Sequence, residues 1–274
     1  MDSDRRLGLM MASTTALLWG VLAVAMKVAT NHVPVMTITW FRFAFAFSLL
    51  FVFIARRGKR RLKVLVRPPL LGLVAALGLT GNYLGYLNGL HFTTPSNAQI
   101  LIQTAPLMLA LVGIVMFKER LKRSQWLGVG VALVGFVLFA WNQHQEQVIS
   151  HQDWLRGNGM IFLGAVSWVV YAAIAKLLGM RGLPPQDLNL LIYAVPAAML
   201  WPWVDFALLA SLSWKMWILM AFLGANTLVA YGFLGEAFKR LPAYQVSLII
   251  TLNPLITLAV MAGLRPWGFA WLPA

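Results

Sequence analysis

Nine long apolar runs dominate this chain of 274 residues and restrict what it can fold into. A helix needs about 20 mostly apolar residues to cross the hydrocarbon core of a bilayer. Inside that core every backbone polar group must be hydrogen-bonded within the protein, and a helix achieves this within one segment. The runs therefore predict an all-α integral membrane protein with spans near residues 7–29, 34–55, 69–91, 97–117, 126–142, 157–178, 186–204, 214–236 and 242–263.

The composition agrees with a membrane protein and excludes several other classes. Hydrophobic residues make up 60% of the chain and charged residues 11%, whereas a soluble domain has roughly 25% charged residues. The net charge of +14 is concentrated in short connections between the apolar runs. This placement favours contact with anionic lipid headgroups over nucleic-acid binding. There is no cysteine, and no nucleophile and base recur at an interpretable spacing, so we predict no catalysis, no cofactor and no metal site.

Lysine and arginine are distributed unequally between alternate connections, and this predicts the orientation of the chain. Sixteen of them fall in segments on the side of the N-terminus, and three, Arg156, Lys215 and Arg265, fall in segments on the other side. Short loops rich in lysine and arginine stay in the cytoplasm. We therefore predict that the protein is integral to the cytoplasmic (inner) membrane with its N-terminus inside.

The two halves of the chain carry matching residues. Trp19 and Lys27 recur at the same spacing as Trp168 and Lys176. Three prolines of the first half, at 34, 95 and 106, have counterparts at 185, 242 and 254. Five spans separate the copies, so the two halves enter the membrane from opposite sides, as in an inverted-topology repeat. We predict inverted five-helix repeats (5+5), with a first repeat at 1–142, an outer connecting loop at 143–156 and a second repeat at 157–274.

Short motifs at matching places in the helices give the chain a resemblance to a known family. The motifs are Leu18-Trp19-Gly20 with Lys27, Arg42, Thr94-Pro95-Ser96-Asn97-Ala98, Ala105-Pro106, Phe117-Lys118-Glu119-Arg120-Leu121, Gln125-Trp126-Leu127-Gly128, Leu241-Pro242-Ala243 and Asn253-Pro254. Together with the repeat, they resemble the EamA family of the drug/metabolite transporter superfamily, which includes exporters of aromatic amino acids. The resemblance implies ten helices and movement of a small metabolite through a central cavity, by alternating access.

The C-terminal end departs from the family pattern. The family resemblance implies an acidic residue and a tenth span after the ninth helix, but the chain continues Gly263-Leu264-Arg265-Pro266-Trp267 and stops at Ala274. Residues 265–274 are too few to cross a bilayer as a helix. We expect either a chain that is truncated or altered at its end, or a nine-helix variant with its C-terminus outside.

Aromatic and amide side chains on helices of both halves form the predicted substrate site. Transporter sites lie near the bilayer midplane where the repeats meet. Aromatic rings can stack on an apolar or aromatic solute while amides bind its polar end. The predicted residues are Trp19, Tyr83, Tyr86, Gln99 and Gln103 from the first half, and Trp168, Tyr171, Asn226, Tyr231 and Gln245 from the second. The alternative is that these aromatic residues form interfacial belts or fill helix contacts.

Four of the ionisable residues within the apolar runs are candidates for charge or coupling roles. Arg42 lies in the second run, where we interpret it first as a structural charge that pairs with backbone carbonyls or fixes packing. Lys27 and Lys176 lie near helix ends and are expected to snorkel towards water. Glu236 is the acid that could couple transport to protons, although basic residues three and four positions later offer it a surface pair.

Gly81, Gly85 and Gly89 recur at the spacing that lets two membrane helices approach closely. We predict that they serve helix packing and do not bind a ligand.

We therefore predict a secondary transporter for small metabolites, most of all amino acids and in particular aromatic ones. The alternatives are a carrier for another solute, such as a nucleoside or a cationic drug, and, in a different class, a membrane enzyme or a scaffold subunit. An enzyme acting on lipid would need acids or histidines clustered near one membrane face. The eight acidic residues of this chain are scattered.

Overall fold

A computed structural model of the chain describes residues 3–93, 97–98, 101–120, 126–128, 130–131, 134–135 and 151–264. All regular structure within these residues is helical. The principal helices are α1 (Ser3–Thr30), α2 (Val35–Arg57), α3 (Leu70–Leu90), α4 (Thr104–Phe117), α5 (His151–Met180), α6 (Pro185–Leu200), α7 (Trp214–Arg240), α8 (Ala243–Ile250) and α9 (Asn253–Leu264). Short helices, Lys63–Val66 and Phe206–Ser211, lie in the connections before α3 and α7.

The described part of the chain contains six segments that are long and apolar enough to cross a membrane. They are Ser3–Thr30, Val35–Arg57, Leu70–Leu90, Gln152–Met180, Trp214–Arg240 and Ala243–Gly263. The shorter α4 is also apolar, and α6 has 16 residues. The predicted span at 126–142 lies largely outside the described residues. The prediction of an all-α membrane protein is confirmed.

The fourth and ninth predicted spans are each interrupted by a turn. α4 begins only after a turn at residues 102–103, and α9 begins only after a turn at residues 251–252. Pro106 and Pro254 lie in the first turn of the helices that follow. A proline has no N–H group with which to bond the carbonyl four residues earlier, so each helix ends and a new one starts.

Each helix of the first half packs against a helix of the second. α3 lies along α5, α1 along α7, α2 against α6, and α4 against α8. The pairing is symmetric between the halves. The first helix of each half packs on the third helix of the other, the two second helices pack on each other, and so do the two fourth helices. The opposite membrane orientation of the halves and the limits of the two repeats stay predictions.

α3 and α5 approach each other backbone to backbone. A Cβ atom added to Gly85 would lie 2.6 Å from the carbonyl oxygen of Met160 and 2.9 Å from Cα of Gly164. A Cβ atom added to Gly89 would lie 2.8 Å from the carbonyl oxygen of Gly157. These contacts are closer than real Cβ atoms tolerate, and their partners are backbone atoms that cannot rotate away. The predicted packing role is confirmed for Gly85 and Gly89.

The end of the bundle that holds the start of α1 also holds the ends of α4, α5 and α7, and we call it the N-terminal end. There Lys118 closes α4 in a left-handed conformation with φ of 53°. The next residue, Glu119, accepts hydrogen bonds from the backbone N–H groups of Ala243 at 2.7 Å and Tyr244 at 3.1 Å. Pro242, the residue before α8, supplies no side-chain cap of its own. Glu119 therefore caps α8 from a different element.

Lys176 completes this arrangement from the side of α5. Its Nζ lies 3.6 Å from Oε1 of Glu119 and donates hydrogen bonds to the carbonyl oxygens of Phe238 at 3.3 Å and Leu241 at 2.7 Å. The two side chains are 9% and 10% exposed. The expectation that Lys176 snorkels to water is wrong, because the turn between α7 and α8 covers the end of α5 and offers carbonyl oxygens instead. We call Glu119, Lys176 and the turn Phe238–Ala243 the capping junction.

The Gly85→Ala substitution is expected to lower the melting temperature of the purified protein in detergent, because the new methyl group would force α3 away from α5. The matched control is Gly159→Ala on α5, where an added Cβ meets nothing within 4 Å and alanine improves helix propensity by about 1 kcal/mol. Equal melting temperatures for the two variants would contradict the packing role.

The Lys176→Met substitution is expected to destabilise the protein by about 3–5 kcal/mol, because it leaves the Glu119 carboxylate buried without its cation. Lys27→Met is the control, since Lys27 holds the corresponding place in the first half and is exposed. Melting temperatures of both variants measure the difference. We also expect the Lys176→Met/Glu119→Gln double variant to lose less free energy of unfolding than the sum of the losses in the two single variants. A loss equal to that sum would show that the pair is not coupled.

Candidate functional site

A cavity of about 320 Å³ lies between the two halves of the chain. Its lining residues from the first half come late in α1 and α3 and in or just before the start of α4, as well as early in α2. Those from the second half are Trp168 of α5, Tyr231 of α7, Ile250 at the end of α8 and Asn253 at the start of α9. The cavity therefore lies in the half of the bundle away from the capping junction. Pockets of about 300–1,000 Å³ hold small organic ligands, so the volume suits a molecule at the small end of that range.

Edge-to-face aromatic contacts form one wall of the cavity. The ring of Trp19 lies 6.3 Å from that of Trp168, at an interplanar angle of 70°, and 5.6 Å from that of Tyr231, at 64°. Behind this wall, the rings of Tyr171 and Tyr193 lie 5.8 and 6.3 Å from Tyr231. We call Trp19, Trp168 and Tyr231 the aromatic wall. It joins α1 to two helices of the second half and holds each ring against another ring.

A buried guanidinium group lines the cavity beside the aromatic wall. Arg42 donates from Nε to Oγ1 of Thr227 at 2.9 Å and from Nη2 to the hydroxyl of Tyr83 at 3.4 Å. Its Nη1 lies 3.7 Å from the sulfur of Met26. The hydroxyl of Tyr83 is in turn 3.4 Å from that of Tyr231. Among the residues that the structure describes, Arg42 bonds to side chains and not to backbone carbonyls, which were one of the two structural roles expected for it.

Two lining side chains present a polar atom that has no hydrogen-bond partner among the described residues. These atoms are Oγ1 of Thr39 and Oδ1 of Asn253. Sequence reasoning missed both as lining residues. A signal for Thr39 was present, because Thr39 and Arg42 are three positions apart and share one face of α2. Asn253 stands beside Pro254, which marks the start of α9.

The two helix breaks open onto the same cavity. Gln103, the residue before α4, and Asn253, the first residue of α9, are both lining residues. The first turn of a helix has N–H groups with no partner inside the helix, and the helix dipole makes this end electropositive. The cavity thus combines aromatic faces, one cation and two helix starts.

The structure brings six of the ten predicted site residues together at the cavity. They are Trp19, Tyr83, Tyr86, Gln103, Trp168 and Tyr231. Gln99 lies outside the described residues. Contact of these residues with a substrate stays a prediction.

Three predicted site residues are placed elsewhere. Tyr171 is buried behind the aromatic wall. Asn226 donates from Nδ2 to the carbonyl oxygen of Leu18 at 2.9 Å, and so fastens α7 to α1. Gln245 donates from Nε2 to the hydroxyl of Tyr244 at 3.0 Å. Tyr171 and Asn226 thus lie on helix faces that meet α3 and α1, and Gln245 bonds within its own helix.

Arg42 alone among the four charged candidates contributes to the cavity lining. Lys27 is exposed near the end of α1, and Lys176 belongs to the capping junction. Glu236 pairs with Arg240 in the next turn of α7 and lies within 3.5 Å of Nε2 of Gln186. The pairing of Glu236 that the sequence offered as an alternative is present with Arg240, although both side chains are partly buried.

Several known proteins are similar in sequence to this chain over nearly its whole length. An Escherichia coli K12 protein named "Uncharacterized inner membrane transporter YhbE" is 34% identical over 261 residues, which are 94% of this chain and 81% of that protein. An "Uncharacterized transporter" of Haemophilus influenzae is 31% identical over 94% of this chain and 84% of its own. A Salmonella typhimurium "Probable amino-acid metabolite efflux pump" is 23% identical over 92% of this chain and 85% of its own.

The fold is shared with a solved structure described as "Crystal structure of protein". The two superpose with a TM-score of 0.77 over 97% of this chain and 90% of the other, at 21% sequence identity. The profile of the EamA-like transporter family matches residues 6–141 and 155–265. The chain therefore belongs to the EamA-like transporter family, and it is a membrane transport protein and not an enzyme.

Proposed function

We propose that this transporter is an inner-membrane permease that exports amino acids, aromatic ones by preference, through the cavity between its halves by alternating access. The observation that carries the proposal is the aromatic wall, which faces a cavity of about 320 Å³. The names of the Escherichia coli and Salmonella relatives, an inner membrane transporter and a probable amino-acid metabolite efflux pump, support the same location and substrate class.

The chemistry of the cavity supports a solute with an apolar or aromatic body and a polar end. The wall presents ring faces and edges to the solute. A contact between two aromatic rings contributes about 0.5–1.5 kcal/mol in addition to the free energy gained by burying their surface. Thr39, Gln103 and Asn253, whose side chains are polar, also line the cavity. The positive charge of Arg42 in the lining disfavours a cationic drug as the solute.

Trp168→Ala is expected to raise the KM for efflux of a labelled aromatic amino acid from proteoliposomes by about tenfold, because it removes one ring of the wall. The KM for efflux of labelled alanine should rise less, since this amino acid has no ring that could contact Trp168. Trp214→Ala is the control, because Trp214 is 69% exposed at the start of α7. If no amino acid of a broad panel moves in either direction, the proposed substrate class is wrong.

Glu236→Gln is expected to leave efflux, and its response to an imposed pH gradient, close to those of the unaltered protein. The reason is that Glu236 is paired with Arg240 and lies away from the cavity lining. Efflux measured in proteoliposomes with and without a pH gradient tests this expectation. Loss of the pH response in the variant, with efflux retained, would instead assign proton coupling to Glu236.

A further inference from the structure

Thr39 and Arg42 stand one helical turn apart on α2 and both line the cavity. Thr39 is 1% exposed and Arg42 is 3% exposed. Oγ1 of Thr39 has no hydrogen-bond partner among the described residues. A guanidinium group has five N–H donors, and Arg42 uses three of them on Thr227, Tyr83 and Met26. Donor capacity is therefore left over on both side chains.

None of the described acidic residues forms an ion pair with Arg42. Glu119 pairs with Lys176, Asp187 with Arg61, and Asp4 and Glu236 with Arg240. Asp205 accepts a hydrogen bond from the backbone N–H of Leu208, and Asp153 lies in the first turn of α5. None of these six lines the cavity. The described part of the chain thus holds a buried arginine whose charge is not balanced by a carboxylate.

A buried charge without a counter-ion is unfavourable, and an arginine cannot escape by losing its proton. Neutral hydroxyl and thioether partners satisfy some of its N–H groups but leave the charge. A carboxylate would neutralise the charge and accept two parallel hydrogen bonds from the planar guanidinium. The starts of α4 and α9 at the same cavity add an electropositive potential of the same sign. The ligand that fits this corner is an anion with an apolar body.

We propose that Arg42 and Thr39 form the subsite that binds the carboxylate of the transported molecule, with Arg42 as the cation and Thr39 as a hydroxyl donor. The inference rests on the proposed function and narrows it, because solutes without a carboxylate are then poor substrates. A purely structural role for Arg42 accounts for its bonds to Thr227 and Tyr83. It does not account for the unpartnered hydroxyl of Thr39 on the same face.

The test compares two ligands of nearly identical shape, 3-phenylpropionate and its uncharged amide, by their effect on the melting temperature of the purified full-length protein. We expect the unaltered protein to bind the carboxylate at least about tenfold more tightly than the amide. Arg42→Gln should abolish this preference. Arg42→Lys should retain part of this preference, since lysine keeps the positive charge but cannot form the two parallel hydrogen bonds of a guanidinium group.

Thr39→Val keeps the experiment decisive even if the Arg42 variants fold poorly. This variant removes a hydroxyl that bonds no described residue, so the unliganded melting temperature should stay unchanged or rise. Affinity for the carboxylate should fall several-fold while affinity for the amide stays the same. Ser48→Ala is the matched control on α2, because the hydroxyl of Ser48 is exposed and bonds the carbonyl of Ala44. It should change neither affinity.

The inference is overturned if the unaltered protein binds the acid and the amide equally, or binds no carboxylate. It is also overturned if Thr39→Val leaves carboxylate affinity unchanged. L-Phenylalanine and its amide, measured in parallel for binding and for efflux, separate this inference from the proposed function. Tight binding of 3-phenylpropionate that depends on Arg42 and Thr39, without movement of any amino acid, would uphold the subsite and refute amino-acid export.

Discussion

The backbone contact between α3 and α5 is the constraint on which the cavity depends. Membrane helices gain no hydrophobic driving force from meeting each other in lipid, so close packing and interhelical hydrogen bonds must hold them. Gly85 and Gly164 allow the two backbones to touch, and Nδ2 of Asn82 donates to the carbonyl oxygen of Gly164 at 3.0 Å. Trp168 follows Gly164 by one turn. The contact between α3 and α5 therefore sets the distance between the tyrosines of α3 and the aromatic wall.

Buried charges are paired with each other at the N-terminal end of the bundle, whereas the buried charge at the cavity is not paired with a described carboxylate. In the capping junction a carboxylate bonds the free N–H groups of one helix, and an ammonium group bonds the free carbonyls of another. Each charge also neutralises the other, so burial is tolerated. Glu119 and Leu241–Ala243, which belong to motifs that carried the family resemblance, supply much of this junction. At the cavity, by contrast, Arg42 and Thr39 retain donors that the described residues do not use.

Sequence periodicity predicted the helices well, because hydrophobic length is a local property of the chain. The residues of the aromatic wall were predicted from a different signal, the presence of aromatic side chains on helices of both halves, with interfacial belts and helix contacts as the alternative. For Thr39 the signal was weaker, since its spacing from Arg42 shows only a shared helix face, and threonines within helices commonly bond the carbonyl four residues earlier, as Thr15 and Thr80 do here. Thr39 does not, and this depends on its neighbours in space. Lys176 was misread for the same reason, because its partner Glu119 is distant in sequence.

The two ends of the bundle differ although the predicted repeat matches their lysines, Lys27 and Lys176. Lys176 is buried in the capping junction, whereas Lys27 is exposed at the opposite end, on the side of the cavity. Under the proposed alternating access, the capping junction has to open when the cavity becomes accessible from the N-terminal end. Water must then replace Glu119 at the N–H groups of α8 and Lys176 at the carbonyls that end α7. A ligand can shift such an equilibrium only by its differential affinity for the two states. A carboxylate that neutralises Arg42 supplies such a difference, because enclosing the paired charge is less unfavourable than enclosing the bare one.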